Sequence, residues 1–118
     1  MRDVAVLGAG LVGKWIVNSL SSEGFRLTVI DSDKNALTEL SDSANTIQSR
    51  VNANLLNSID ADVFVNALPG RVGHSIRKCL LEKGAKIADL AFTPEDPREM
   101  NTIAKENGAI MIFDVGVA

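Results

Sequence analysis

The chain has 118 residues, of which 46% are hydrophobic and 23% charged, and this is the composition of one ordinary globular domain. Its formal net charge of −3 does not suit a nucleic-acid-binding surface, which needs clustered basic residues. The single cysteine excludes an internal disulfide and a cysteine-based metal site, and no apolar run is long enough to cross a membrane, so we expect a cytoplasmic protein without a metal.

The first predicted element is an apolar strand that leads into a glycine-rich turn. Val4 to Leu7 has the pattern of a strand buried on both faces of a parallel sheet, and because it starts almost at Met1 we expect no signal peptide. Gly8, Gly10 and Gly13 then match the G-x-G-x-x-G fingerprint of dinucleotide binding. In that motif the glycines permit a tight turn, admit a pyrophosphate and let the helix approach the strand. We therefore predict that the whole loop binds a dinucleotide, through Gly8, Ala9, Gly10, Leu11, Val12 and Gly13.

A helix follows the glycine loop. Its apolar residues recur at the spacing of one helical face, so we expect this face to pack on the sheet. Gly24 comes after the last of them and is a typical C-terminal cap. The side chains that we expect to be buried are Val12, Trp15, Ile16 and Leu20.

The second predicted strand, from Arg26 to Ile30, ends in an acid that bears on cofactor choice. Asp31 lies 21 residues after Gly10, where the fingerprint has the acid that binds the adenosine ribose. Its carboxylate accepts from a ribose 2′-OH but repels a 2′-phosphate, and the next residues, Ser32 and Asp33, supply no compensating arginine. We therefore predict that Asp31 and Ser32 contact the cofactor and that NAD binds more tightly than NADP.

Two other roles stay open for residues near Asp31. Asp31 itself could cap the helix that begins near Lys34, although Asp33 would serve equally well. In the folded protein, Lys34 or Arg50 could reach a 2′-phosphate and weaken the preference for NAD.

The middle of the chain has weaker patterns. We predict a helix from Lys34 to Ser41 and a third strand from Thr46 to Val51 at an edge or half-covered position. A turn then precedes a short helix. In a Rossmann half this turn lies beside the adenine, so Asn52 and Ala53 are candidates to line its pocket. A simple loop cap explains them equally well.

The fourth predicted strand, Val63 to Asn66, runs into the turn residues Pro69 and Gly70. In open α/β sheets, ligands bind outside the carboxyl ends of the strands. We therefore expect cofactor contacts from four residues at this end, namely Asn66, Ala67, Leu68 and Pro69.

The remaining elements continue the alternation of strand and helix. First come a helix that ends at Gly84 and a strand from Lys86 to Leu90, and the side chains that we expect this helix to bury are Val72, Ile76, Cys79 and Leu80. A second helix starts at Pro97 with Asp96 as N-cap, and a strand from Ile110 to Phe113 follows it. This second helix is expected to bury Met100, Ile103 and Ala104. The predicted fold is α/β, a Rossmann-type doubly wound parallel sheet of six strands in the order 3-2-1-4-5-6 with helices on both faces.

Four segments together are more distinctive than the glycine fingerprint. They are Gly8-Ala9-Gly10-Leu11-Val12-Gly13, Val65-Asn66-Ala67-Leu68-Pro69-Gly70, Ala88-Asp89-Leu90-Ala91-Phe92-Thr93-Pro94-Glu95-Asp96-Pro97 and Asp114-Val115-Gly116-Val117-Ala118. This pattern covers the whole chain and resembles the N-terminal NAD(P)-binding domain of the saccharopine dehydrogenase family, which includes lysine dehydrogenase relatives. The resemblance implies an oxidoreductase that acts on the C–N bond of an amino acid, with hydride transfer to or from NAD(P).

In that family a following domain supplies most of the substrate pocket and the dimer contacts. The resemblance therefore implies that residues 1–118 are one domain of a longer polypeptide, which takes a small amino-acid substrate and forms a homodimer, and that the chain alone is inactive. A regulatory NAD-sensing domain of a potassium transport system is the alternative, because it shares the glycine turn and the acid after the second strand. The segments from Asn66 to Gly70 and from Asp89 to Pro97 favour the dehydrogenase.

No catalytic residue is assigned. We expect His74 on the exposed side of its helix and Cys79 as a small core residue. Asp89 lies in an apolar strand and needs hydrogen-bond donors if it is buried. Glu95 is typical of a helix start, and Asp114, at the end of the last strand, has either a structural or a substrate-side role.

Overall fold

A computed structural model describes residues 2–90 and 97–112 of the chain. Within these residues, six parallel strands alternate with five helices, and the sheet order is 3-2-1-4-5-6, as predicted. The elements are β1 (Asp3–Leu7), α1 (Leu11–Ser22), β2 (Arg26–Asp31), α2 (Lys34–Thr38), β3 (Asn45–Gln48), α3 (Ala53–Ser58), β4 (Val63–Asn66), α4 (Gly70–Lys83), β5 (Lys86–Asp89), α5 (Pro97–Asn107) and β6 (Ile110–Ile112).

The sheet has a hydrophobic core on each face, because successive side chains of a strand point to opposite faces. On β1, Ala5 and Leu7 join a core with α3, α4 and α5, whereas Val4 and Val6 join one with α1 and α2. Both cores meet at β1, whose residues 4–7 are all buried. Helices therefore cover both faces, as predicted.

The buried face of α1 differs from the predicted one. Val12 and Trp15 are 57% and 69% exposed, and the buried residues are Gly13 and Val17. Ile16 is partly buried, in agreement with the prediction. The cause is Gly13, which lies so close to the carbonyl oxygen of Gly8 that it sets the rotation of the helix about its axis. Val17 is one turn further along the same side, and Trp15 lies on the opposite side.

The predicted face of α4 is also wrong in part. Val72 is 52% exposed and Cys79 is half-buried, while Ile76 and Leu80 are buried as expected. The helix also buries Leu81 and a charged residue, Arg77. The stripe that faces the sheet therefore runs through positions 73, 76, 77, 80 and 81.

Glycines end the longer helices as predicted. Gly24 has a φ of 88° and Gly84 one of 77°, in the left-handed region. In each case the glycine N–H and the next N–H donate to carbonyls of the last turn, for example Gly84 to Leu81 at 3.1 Å and Ala85 to Leu80 at 3.2 Å. This is the Schellman arrangement.

Some predicted bounds shift. The third strand is Asn45–Gln48 and so excludes Val51, because the chain leaves the sheet after Gln48. The start of α5 at Pro97 and the burial of Met100 are as expected. The predictions for Glu95, Asp96, Phe113 and Asp114 fall outside the described residues. Among the residues that the structure describes, no helix is both long and apolar enough to span a bilayer.

Candidate functional site

A cleft with a volume of about 870 Å³ opens at the carboxyl ends of β1, β2 and β4. This edge is where the sheet order reverses, since β2 and β4 lie on opposite sides of β1. Ligands of open α/β sheets bind at such a point. Most of the predicted cofactor-binding residues line the cleft, namely Gly8, Gly10, Leu11, Val12, Gly13, Asp31, Ser32, Asn52, Ala67, Leu68 and Pro69.

At the floor of this cleft, Gly8 and Gly13 let neighbouring backbone segments approach each other closely. Gly8 has a φ of 102°, and a Cβ atom there would lie 2.8 Å from the carbonyl oxygen of Ala67. A Cβ atom on Gly13 would collide with the carbonyl oxygen of Gly8. Both positions therefore require glycine for the packing of β1, α1 and the loop after β4.

Gly10 has a different environment. A Cβ atom at this position would meet nothing within 4 Å, and its backbone is extended, with φ −73° and ψ −168°. The residue is the N-cap of α1, and having no side chain it leaves the first-turn N–H groups without a side-chain acceptor of its own. No acidic residue lies in that turn. The helix end therefore presents N–H donors and a positive dipole end to the cleft, which suits a phosphate.

Asp31 is half-buried at the end of β2 and is held by two backbone donors. Its Oδ2 accepts from Ala9 N at 2.7 Å and its Oδ1 accepts from Asp33 N at 2.8 Å. Each carboxylate oxygen can accept more than one hydrogen bond, so capacity remains for a hydroxyl group. The alternative role as helix cap belongs to Asp33, whose carboxylate accepts from Asn35 N at 2.9 Å.

The β3 side of the cleft carries two residues of interest. Asn52 lines the cleft and also caps α3, because its Oδ1 accepts from Leu55 N at 2.9 Å. The interpretation of Asn52 as a cap is therefore confirmed, and its contact with an adenine stays a prediction. Arg50 also lines the cleft and is exposed, whereas Lys34 and Ala53 do not line it. Ala53 is the first residue of α3, and its exposed side chain lies outside the cleft.

The β4 side differs from the prediction at one residue. Ala67, Leu68 and Pro69 line the cleft, but Asn66 is fully buried beneath them. Side chains alternate along a strand, and Asn66 points into the α4 face of the sheet. Ala9 is likewise buried, at 1% exposure, and can reach the cleft only through its backbone.

Sequence reasoning missed several residues of the cleft wall. Val72, Ser75 and Ile76 line it from the first two turns of α4, and Val51 lines it from the β3 side. The signal in the sequence was position: Val72 is an apolar residue three positions after Pro69, in the first turn of α4, next to the carboxyl end of β4.

Three polar residues near this cleft are wholly buried. Arg77 and Asp89 form an ion pair with side chains 1% and 0% exposed, and Asn66 also binds Asp89. The expectation that a buried Asp89 needs donors is confirmed. Arg77 was the missed partner, although its spacing from Gly73 and Leu81 places it in the buried stripe of α4.

The remaining titratable candidates lie away from the cleft floor. His74 is half-buried rather than exposed, because it faces a groove between α4 and α5 that Met100 also lines. Cys79 packs against the core but is only partly buried, which agrees in part with the prediction of a small core residue. No group of histidine, cysteine and acidic residues in the described part of the chain has the arrangement of a metal site.

The sheet order, the glycine loop and the cleft at the switch point together define a Rossmann-type dinucleotide-binding domain. The family model of the saccharopine dehydrogenase NADP binding domain matches residues 4–112, and the chain belongs to this family. No curated protein sequence matches the chain.

Solved structures share this fold at low sequence identity. Saccharopine dehydrogenase (L-Glu forming) from Saccharomyces cerevisiae has a TM-score of 0.81 and is 18% identical over 98% of this chain. The WlbA dehydrogenase from Chromobacterium violaceum, in complex with NADH and UDP-GlcNAcA, has a TM-score of 0.76 and is 21% identical over 94% of this chain. The chain spans only 27% and 34% of the length of these two proteins.

A third solved structure, of a chain similar in length to this one, also has this fold. The NAD(P)-binding domain of an exopolyphosphatase-related protein from Archaeoglobus fulgidus has a TM-score of 0.69 and is 16% identical over 96% of this chain. The match covers 88% of that chain. A single domain of this fold is therefore known as a separate structure.

Proposed function

We propose that the cleft binds NAD and that the chain is the dinucleotide-binding domain of an oxidoreductase acting on the C–N bond of an amino acid. The observation that carries the binding proposal is the open position above Gly10, next to the N-terminus of α1 and in one cleft with Asp31. A pyrophosphate needs donors and room, and this place has both.

Each wall of the cleft has a role in this proposal. The N–H groups at the start of α1 bind the pyrophosphate, and the Asp31 carboxylate accepts from the adenosine ribose. Asn52, with the apolar surface of Val51, lines the adenine pocket, and residues 67–69 hold the nicotinamide half. The bound cofactor would supply hydride chemistry, while the residues of this chain bind it and hold its orientation.

The preference for NAD over NADP depends on charge at one side of the cleft. In this proposal a 2′-phosphate would lie beside the carboxylate of Asp31, which two backbone N–H groups hold in place, and like charges repel. The opposing group is Arg50, which lines the same cleft. We propose that Asp31 outweighs Arg50, because the carboxylate is anchored by two backbone N–H groups and the guanidinium lies on an exposed side chain.

The activity belongs to the longer polypeptide in this proposal. Support comes from the family match and from the small share of the yeast saccharopine dehydrogenase that the chain spans, 27%. Residues 1–118 form the cofactor domain, a second domain holds the small amino-acid substrate, and the full-length protein is a homodimer. The one cysteine suits a reducing compartment, and we propose the cytoplasm.

Calorimetric titration of the chain with NADH and with NADPH tests the binding proposal. We expect NADH to bind more tightly, and equal or tighter binding of NADPH would contradict the assignment of Asp31. A regulatory domain would also bind NADH, so the two candidate functions are separated by activity of the full-length protein. Oxidation of lysine or saccharopine with NAD supports the dehydrogenase.

A further inference from the structure

A buried polar cluster lies directly beneath one wall of the cleft. Its members are Asn66 at the end of β4, Arg77 on α4 and Asp89 at the end of β5, and each is 0% exposed. Asn66 and Asp89 are paired in register on neighbouring strands, so their side chains emerge side by side on the α4 face. Burial of three polar groups is costly unless all are hydrogen-bonded, and these are.

The ion pair fixes the inner half of the cluster. Arg77 donates to Asp89 from Nε to Oδ2 at 2.9 Å and from Nη2 to Oδ1 at 3.0 Å, which is a bidentate pair. Asn66 Nδ2 donates to the same Oδ2 at 3.0 Å. The charges of Arg77 and Asp89 cancel inside the protein. The hydrogen bond to Oδ2 of Asp89 holds the amide of Asn66 in one orientation.

The other contacts of Asn66 reach the cleft wall. Its Nδ2 also donates to the carbonyl of Gly73, in the first turn of α4, at 2.9 Å. Its Oδ1 accepts from the backbone N of Leu68 at 3.3 Å. An amide can donate to two oxygens and accept from an N–H group at once, whereas an ionised carboxylate cannot donate and would repel Asp89.

The loop that Asn66 holds is continuous with the glycine loop. Ala67, Leu68 and Pro69 line the cleft, and the carbonyl of Ala67 lies where a Cβ on Gly8 would clash. Asp31, which the proposed function assigns to the adenosine, lies at the end of β2, on the other side of the glycine loop from residues 67–69. The wall at residues 67–69 therefore borders the opposite end of a dinucleotide whose pyrophosphate lies on α1.

We propose that Asn66 is a positioning residue for the nicotinamide half of the cofactor. This inference rests on the proposed function, and it assigns to the buried cluster a task in binding in addition to its part in the fold. The Arg77–Asp89 pair orients the amide of Asn66, and the amide sets the place of the backbone from Ala67 to Pro69. Cofactor affinity then depends on a side chain that never touches the cofactor.

The test compares two ligands on the variant Asn66→Leu, which has a similar volume and no polar group. NADH reaches both ends of the cleft, whereas ADP carries only the adenosine and the two phosphates. We expect the affinity for NADH to fall about tenfold and the affinity for ADP, followed by NMR titration, to stay within about twofold of the parent. A matched control is Leu40→Ala, which removes a buried side chain from the opposite core.

The outcomes separate the two levels of the proposal. Absence of NADH binding in the parent chain would overturn the proposed function and this inference with it. NADH binding in the parent with an equal loss for NADH and ADP in Asn66→Leu would overturn only the positioning role. If Asn66→Leu does not fold, Asn66→Ser is measured in its place, because its hydroxyl keeps one donor and one acceptor. A selective loss for NADH is expected there too, and an equal loss would again contradict the inference.

Discussion

Gly8, Gly10 and Gly13 occupy three different environments, although they form one motif. Gly8 and Gly13 each touch backbone that a Cβ atom would displace, while Gly10 faces open space in the cleft. Two of the glycines are therefore required by the fold of the protein itself. The third is not required by contacts within the chain, and the proposed pyrophosphate site depends on this open position.

Gly13→Ala should destabilise the fold. The added Cβ meets the carbonyl oxygen of Gly8, which belongs to the backbone and cannot move aside without shifting α1 from β1. Overpacking of this kind costs about 1 to 3 kcal/mol, and we expect the upper part of that range. Chemical denaturation measures the change, and a loss below about 0.5 kcal/mol would show that α1 is not held against this turn.

Asp31→Asn should weaken NADH binding and reduce the preference over NADPH. The amide removes the charge that repels a 2′-phosphate. Its oxygen can replace one of the two carboxylate oxygens that accept from Ala9 N and Asp33 N, but its NH2 group cannot accept from the other donor. A loss of about tenfold in NADH affinity corresponds to one hydrogen bond from a charged group. Calorimetry with both nucleotides tests this, and an unchanged ratio of affinities would contradict the role of Asp31.

Arg50→Ala is the matching variant on the other side of the cleft. The guanidinium is the cation among the described lining residues, so its removal should weaken NADPH more than NADH. The same calorimetric titrations measure it. An equal effect on both nucleotides would indicate that Arg50 does not reach the 2′ position.

At the scale of elements, the sequence predicted which segments are helices and strands better than it predicted which way the helices face. Periodicity defines a stripe on α1 and α4 but leaves its phase open by one residue, because both helices carry apolar residues on the cleft side as well. Val12 and Val72 belong to the cleft wall and not to the core. A close glycine contact decides the phase in α1, and no propensity contains that information.

A pair of substitutions on α1 tests the corrected phase. Trp15→Ala should change the free energy of unfolding by less than about 0.5 kcal/mol, because the side chain is 69% exposed. Val17→Ala should cost about 2 kcal/mol, since a fully buried side chain loses two methyl groups and leaves a cavity. Thermal and chemical unfolding measure both, and the reverse order would restore the phase expected from the sequence.

At the scale of the whole molecule, the strand order was predictable because helices alternate with parallel strands, and such strand–helix–strand connections are right-handed as a rule. The position of the cleft follows from that order alone, since β1 lies between β2 and β4. The depth of Asn66 and the pairing of Arg77 with Asp89 were not predictable in the same way. They depend on which side of β4 and β5 faces α4, and a one-residue change of register would reverse it.

The isolated chain should bind the cofactor without turnover. Hydride transfer needs the reacting carbons held roughly 3 to 3.5 Å apart with water excluded, and the cleft described here is open. A spectrophotometric assay with NAD, lysine and saccharopine should show no reduction above background. Turnover would mean that an acid–base group lies within these 118 residues.

The central claim is that a dinucleotide binds over the open position at Gly10, and calorimetric titration of Gly10→Val with NADH tests it most directly. A Cβ atom at this position meets no atom within 4 Å beyond the two neighbouring residues, so the fold should lose only about 1 kcal/mol from a poorer N-cap, while the valine side chain blocks the pyrophosphate. The matched control Val17→Ala loses at least as much stability and should keep its affinity. We predict NADH binding in the parent and the control and none in Gly10→Val. Unchanged affinity in Gly10→Val would contradict the account.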